Sequence, residues 1–303
     1  MTIVPPSPGE PRRPFGPRDP GDAWVEAPSG ERYWGRFGAA GLLALDPHRG
    51  VLLQYRVSWS HHGDTWGLPG GARHEGESAA AGALREAGEE AGVPAGAIRP
   101  RLLSVLDLDV WTYATLVGDV TTPFEPVISD PESRELAWVP VDEVDERPLH
   151  PGFAGSWEAL RALLGVRPAV VVDAANVVGS VPDGWWKDRA GAAERLLTRI
   201  AGLVDTGVPA AALDLPADTW FPEWVVVVEG QAREAADVEG VTAVRASAQG
   251  DDEIVSQAER LVAAGRTVTV VTSDRELADR VTSSGATARG ARWLLDLLDL
   301  SGR

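Results

Sequence analysis

Between Gly70 and Val93 the chain reads GGARHEGESAAAGALREAGEEAGV, and this stretch constrains the fold more than any other. Paired glycines open a loop. An alanine-rich segment from about Glu77 to Ala91 then has the composition of a helix, which Gly92 and Pro94 stop. Glu86, Glu89 and Glu90 stand at i, i+3 and i+4, so a helix projects all three carboxylates from one face. Charges so close repel unless a cation sits among them, and hard oxygen ligands on a rigid element suit Mg²⁺ or Mn²⁺. Most glutamate clusters are only solvated faces. The spacing around this one sets it apart.

Read from Gly71, the stretch fits G-x5-E-x7-R-E-U-x-E-E-x-G-U without a gap, where U is a bulky aliphatic residue. The matching positions are Gly71, Glu77, Arg85, Glu86, Glu89, Glu90, Gly92 and Val93; Ala87 is smaller than the pattern expects. This resembles the signature box of the Nudix hydrolases, and the resemblance spans residues 22–165. It implies an α/β/α sandwich with a mixed sheet that hydrolyses the diphosphate linkage of a nucleoside triphosphate or nucleoside diphosphate derivative. It also implies catalytic and metal-ligating roles for Glu86, Glu89 and Glu90, and supporting roles for Glu77, Arg85 and Gly71. Glu132 or Glu135 stands where some family members carry an extra catalytic glutamate. The signature tied to NADH hydrolysis is absent, and Leu108 and Asp109 stand where ADP-ribose enzymes carry a proline.

Around the box, Trp66, Leu68 and Pro69 read as a strand packing into the core. His61, His62 and His74 could contact phosphate, but surface histidines are the plainer reading. Tyr33, Trp59, Trp111 and Tyr113 have ring faces that could stack on a base, with core packing the plainer reading. DPHRG at Asp46–Gly50 predicts a hairpin turn. Strands are expected over 101–106, 109–117 and 135–139, and a helix over 153–164 closes this half.

The second half changes rhythm. Apolar strands at 169–178, 224–230, 241–246 and 267–274 alternate with helices near 188–204, from Asp251 and from Arg275. A short strand at 286–289 and a closing helix complete the pattern, which predicts a parallel sheet covered on both faces. The boundary falls near Gly165–Pro168, which gives domains of 22–165 and 168–303. Asp173, Asp251, Asp252 and Asp274 lie at or just after C-terminal strand ends, where open parallel sheets bind ligands. Carboxylates converging there invite Mg²⁺ or Mn²⁺; taken singly, each aspartate reads as a cap or turn. The order strand–Asp–x–x–Asn, Asp–Asp–x–Ile, strand–Ser–Asp resembles the PIN-like nucleases, in particular the NYN branch with its YacP-like members. That resemblance implies a Rossmann-like parallel α/β/α domain with Asp173, Asn176, Asp251, Asp252 and Asp274 lining a metal site and Ser273 orienting Asp274. No dinucleotide glycine motif or Walker motif is present, and Ala174–Ala175 replace the second aspartate of haloacid-dehalogenase-like phosphatases.

Composition narrows the functions further. The chain has no cysteine, which excludes disulfides, zinc–thiolate sites and cysteine nucleophiles. Net charge is −17 with no basic surplus in either half, so a long polyanion such as genomic DNA is not an expected partner. A nucleotide substrate fits, and a metal-bridged short RNA with Arg189, Arg275 or Arg280 remains open. Seven prolines within residues 1–20 predict an irregular arm over 1–21. No apolar signal core or spanning run is seen, and a cytoplasmic location is the expectation. Two alternatives stay open: a nuclease whose Nudix half processes RNA ends or nucleotide products, and a nucleotide-sensing regulator.

Overall fold

A computed structural model describes residues 1–6, 21–182 and 184–301. They divide into two units, Met1–Leu164 and Gly165–Arg303. The first unit opens with a three-stranded antiparallel sheet of β1 (Thr2–Val4), β2 (Trp24–Glu26) and β3 (Arg32–Trp34). This corrects the expectation that the whole N-terminal arm lacks regular structure. Thr2, Ile3 and Val4 are β-branched and precede the first proline, so they suit an extended strand. The rest of the arm, 7–20, lies outside the described residues.

The second sheet is mixed. Its strands are β4 (Ala39–Asp46), β5 (Gly50–Arg56), β6 (Trp66–Gly67), β7 (Gly70–Ala72), β8 (Ile98–Asp107), β9 (Thr112–Val120) and β10 (Ser133–Val139). Within this unit the order runs β10-β5-β4-β9-β8, with β6 on β5 and β7 on β4. Only β4 and β9 run parallel. The predicted hairpin joins β4 to β5: Asp46 Oδ1 accepts the N–H groups of His48 (2.9 Å) and Arg49 (3.0 Å), which folds the turn onto its own first residue.

α1 (Ala79–Ala91) lies against β4, β7 and β9. It starts two residues later than the composition predicts, because Ser78 caps it by accepting the Ala81 N–H (3.2 Å). Gly92, left-handed at φ 66°, ends it. α2 (Pro151–Leu163) buries Phe153, Trp157 and Leu160.

The second unit is built on five parallel strands: β11 (Pro168–Asp173), β14 (Glu223–Val228), β15 (Val241–Arg245), β16 (Thr267–Val271) and β17 (Thr287–Arg289). β12 (Val208–Pro209) and β13 (Thr219–Trp220) pair antiparallel with each other. The order β15-β14-β11-β16-β17 reverses direction at β11. Its helices are α3 (Ala174–Gly179), α4 (Arg189–Thr206), α5 (Gly250–Ala263), α6 (Arg275–Ser283) and α7 (Ala291–Ser301). Alternate residues of β11 face opposite ways. Val170 and Val172 pack with Leu197, Ile200 and Leu294 of α4 and α7. Ala169 and Val171 pack with Ile254, Leu261 and Val281 of α5 and α6. Helices therefore cover both faces, which is why the strands are nearly all apolar.

One expected strand is too long. Residues 169–178 divide at Asp173, whose Oδ1 accepts the Asn176 N–H (3.0 Å) and starts α3. The cap reading of this aspartate holds, and the strand expected over 169–178 ran past it.

Candidate active site

The glutamate face of α1 meets the β7 glycines. β7 runs antiparallel to β4, with Gly70 opposite Gly41 and Gly71 opposite Ala40. The buried Glu86 carboxylate fills the space above Gly71: a Cβ there would lie 2.7 Å from Glu86 Cδ and Oε2. Only glycine leaves that cradle open.

Arg85 ties the box together. Its Nε and Nη2 donate to the two Glu77 oxygens at 2.8 and 3.0 Å, a bidentate pair. Nη1 donates to Glu86 Oε1 (2.7 Å) and more loosely to Glu89 Oε2 (3.3 Å), and Nη2 also reaches the Ala72 carbonyl (2.9 Å). Glu77 precedes the helix and accepts the His74 N–H as well (2.9 Å). Burial alone would raise the Glu77 carboxyl, but the Arg85 and His74 hydrogen bonds and charges outweigh it and hold it below the ordinary range.

Glu90 is buried and Glu89 is exposed. Glu90 Oε2 accepts the Gly70 N–H (2.9 Å) and the Gln54 amide (3.3 Å). Burial, then the Glu86 charge, push the Glu90 carboxyl well above its usual value. Burial, then the Glu90 and Glu86 charges, push the Tyr113 hydroxyl up. Gln54 is fully buried on β5, and its Nε2 also donates to Ser133 Oγ (2.6 Å). Among the described residues its Oε1 has no hydrogen-bond partner.

A divalent cation fits this donor set. Two buried carboxylates, with Glu86 near enough to raise Glu90, stand beside a glycine cradle, and the buried Gln54 amide oxygen has no hydrogen-bond partner among the described residues. Glu86, Glu89 and Glu90 are the residues that would hold it.

Other expected residues fall around this centre. Glu132 is engaged by Arg56 (3.5 Å), whose charge also acts on Glu90, while Glu135 is exposed on β10. Tyr33 stacks on Trp111 at 5.0 Å, and the Trp111 indole donates to the Gly35 carbonyl, so both serve packing. The Tyr113 hydroxyl lies over Gly41. Trp59 is exposed. His61 and His62 gather with His150, while the His74 N–H bonds to Glu77. Burial, then Arg56 and the two neighbouring imidazoles, lower His150 to about 4. The sequence reading missed Gln54, Ser133, Arg56 and His150. A glutamine inside VLLQYR was the one available signal for the first.

In the second unit, Asp173, Asn176, Asp251 and Asp274 line one cleft of about 180 Å³ together with Glu229. Asp173 Oδ2 accepts the Thr272 hydroxyl (3.0 Å), and Asn176 Oδ1 accepts the Ser273 N–H (2.9 Å). Ser273 Oγ accepts the Ala291 N–H rather than touching Asp274. Asp274 caps α6 through the Leu277 N–H (2.9 Å). Burial, then Asp251 and Glu229, raise the Asp173 carboxyl. Burial, then Asp274, raise Asp251.

Asp252 departs from expectation. It pairs with Arg280 at 2.6 Å and does not line the cleft, because adjacent residues on α5 point about 100° apart. Glu229, which ends the run WVVVVE and accepts the Gly250 N–H (2.9 Å), is the acidic residue the sequence reading missed. Arg189 lies over the Trp185 ring, and Arg275 begins α6 in an exposed position.

The glycine cradle, the bidentate Glu77–Arg85 pair and the three-carboxylate helix face define a hydrolase of phosphoric anhydrides. The NUDIX domain family model matches residues 35–163. A Mycobacterium tuberculosis protein provisionally named 8-oxo-dGTP diphosphatase 3 is 46% identical over 166 residues, covering 52% of this chain and 76% of that protein. A crystal structure of a Nudix hydrolase from M. smegmatis, RenU, is 46% identical, covers 47% of this chain and 94% of its own, and has a TM-score of 0.44. A crystal structure of Rae1 (YacP) from Bacillus subtilis matches at 19% identity and a TM-score of 0.36, covering 45% of this chain and 77% of its own. The chain belongs to the Nudix family and is a Nudix pyrophosphohydrolase. Among the described residues no helix is long and apolar enough to cross a membrane.

Proposed function

We propose that the first unit hydrolyses a nucleoside triphosphate or nucleoside diphosphate derivative with Mg²⁺ or Mn²⁺ held by Glu86, Glu89 and Glu90. The observation that carries this is the packing of Glu86 into the Gly71 cradle beside the buried Glu90. Bound there, the cation supplies charge neutralisation for the diphosphate and polarises water. Arg85 holds Glu86 and Glu89 in register, and the Gly70 N–H with the Gln54 amide fixes Glu90. One of these carboxylates, or Glu132 beside Arg56, takes the proton from the attacking water. The name of the 46% identical relative favours an oxidised purine nucleoside triphosphate as the first substrate to try. A nucleotide substrate and a chain without cysteine fit the cytoplasm.

The test is a phosphate- and pyrophosphate-release panel over 8-oxo-dGTP, the ordinary nucleoside triphosphates, dinucleoside polyphosphates, ADP-ribose and nucleotide sugars. The expected result is metal-dependent turnover of the oxidised nucleotide that chelation abolishes. Turnover that persists without any divalent cation would overturn the metal assignment.

The acidic cleft favours a second activity. On this reading the second unit is a Rossmann-like, PIN-like domain of the NYN branch, and Asp173, Asn176, Asp251, Asp274 and Glu229 hold Mg²⁺ or Mn²⁺ to cleave short RNA. The Nudix unit would then act on RNA ends or on the released nucleotides. A labelled single-stranded RNA incubated with Mn²⁺ tests it, and cleavage that survives in Asp251→Asn would count against it.

A further inference from the structure

Three of the chain's five histidines, His61, His62 and His150, come together in the first unit. One ring nitrogen of each lies within 4.8 Å of the others. Ring centroids are 4.1 Å apart for His61 and His62 and 4.9 Å for His62 and His150.

Backbone bonds from two segments build this meeting. The His150 N–H donates to the Trp66 carbonyl (2.7 Å), and the Trp66 N–H donates to the Pro148 carbonyl (2.8 Å). The loop carrying His61 and His62 is closed at its base, where the Arg56 N–H donates to Thr65 O (2.9 Å) and the Asp64 N–H to Arg56 O (3.1 Å). His62 itself is left-handed at φ 53°, which is uncommon for a residue with a side chain, and the Thr65 hydroxyl holds its carbonyl.

We propose that His61, His62 and His150 form a binding site for a d-block dication such as Zn²⁺, Ni²⁺ or Co²⁺. Donor chemistry separates it from the glutamate face: imidazole nitrogen suits these ions, and Mg²⁺ takes oxygen. Acidic groups of the neighbouring segments are engaged elsewhere, Asp64 with Arg134 (3.8 Å) and Glu132 with Arg56 (3.5 Å). Zn–N bonds of about 2.0–2.1 Å in a tetrahedron set the nitrogens about 3.4 Å apart. Rotation of the exposed His61 and His62 side chains closes the gap from 4.8 Å. His150 Nδ1 accepts the Gly152 N–H (3.1 Å), which places the ring proton on Nε2, so ligation at Nε2 requires that proton to leave. The ring proton then moves to Nδ1, and that cap bond is given up. Three neutral ligands leave the ion's charge uncompensated and a fourth position open, which suits an anion such as hydroxide, chloride or a phosphate oxygen.

The test is calorimetric titration of Ni²⁺ and Co²⁺ into the full chain with Mg²⁺ held in excess. The expected result is one ion per chain whose binding depends on the histidines, in addition to any ions the carboxylate sites take. His61→Ala and His62→Asn, the latter because asparagine tolerates the left-handed backbone, should each weaken binding at least about 10-fold. His48→Asn, a histidine outside the cluster, should leave it unchanged, and Co²⁺ should show the visible bands of a nitrogen-rich site. No binding in the wild type, affinity in both cluster variants equal to wild type, or loss of binding in His48→Asn would each overturn the proposal.

Discussion

The Glu86 carboxylate occupies the volume that a side chain on Gly71 would need, with Cδ and Oε2 2.7 Å from the position of a Cβ. The glycine of β7 and the glutamate of α1 are thus one feature, and neither can change alone. Gly71→Ala should force Glu86 aside while leaving the sheet register intact. A displacement on the order of 1 Å at a reacting centre costs about 10²-fold in rate. Steady-state hydrolysis alongside a circular dichroism melt checks this. A rate within a few-fold of wild type would show that the cradle is only a packing detail.

Glu90→Gln should separate activity from stability. The amide keeps an oxygen for the Gly70 N–H but ligates Mg²⁺ poorly, so kcat should fall by about 10²–10⁴. It also removes a buried charge beside Glu86, so the metal-free protein should melt at a higher temperature. Loss of both activity and stability would mean that Glu90 is structural.

Much of this site was legible because its logic is local. Three glutamates at helical spacing share a face wherever the helix sits, and Arg85 and Glu77 are close in sequence. The supports were not legible. Gln54 lies 36 residues before Glu90 and looks like any polar residue in an apolar strand, because only β-sheet register brings it there. His150 is likewise placed by backbone bonds to Trp66. In the second unit the parallel strands were located within a few residues, since their apolar runs are unbroken. The strand expected over 169–178 ran past Asp173, and Glu229 was passed over inside the strand expected over 224–230. Asp251 lines the cleft and Asp252 does not, because α5 starts at Gly250 and turns the two side chains about 100° apart.

Glu77→Gln should destabilise the protein in a pH-dependent way. In the folded state the Glu77 carboxyl is held below its ordinary value of 4.5. A lowered carboxyl contributes stability above the unfolded pKa and loses it as pH falls through the folded one. The gap between wild type and variant should therefore be full at pH 7, about 1–3 kcal/mol for lost charge-assisted bonds to a partly buried arginine. It should shrink as pH drops below 4.5. Urea melts at several pH values check this, and a gap that stays constant into acid would remove the Glu77–Arg85 pair as its cause.

The last prediction concerns the cleft of the second unit. Asp173 and Asp251 are both raised, first by burial and then by acidic neighbours, so the folded chain holds carboxylates that repel one another. A divalent cation among them relieves that repulsion and binds the folded state by mass action. Mn²⁺ titration of the full chain should then count more ions in the wild type than in Asp251→Asn with Asp274→Asn. Asp274 also caps α6, but asparagine is an equally good cap, so the double variant should fold. Without metal it should be at least as stable as the wild type, because two like charges are gone. Asp252→Asn is the control: it sits on the neighbouring helix position and pairs with Arg280 outside the cleft, so its ion count should equal that of the wild type. An unchanged count in the double variant would leave these aspartates as helix caps and end the case for a second metal site.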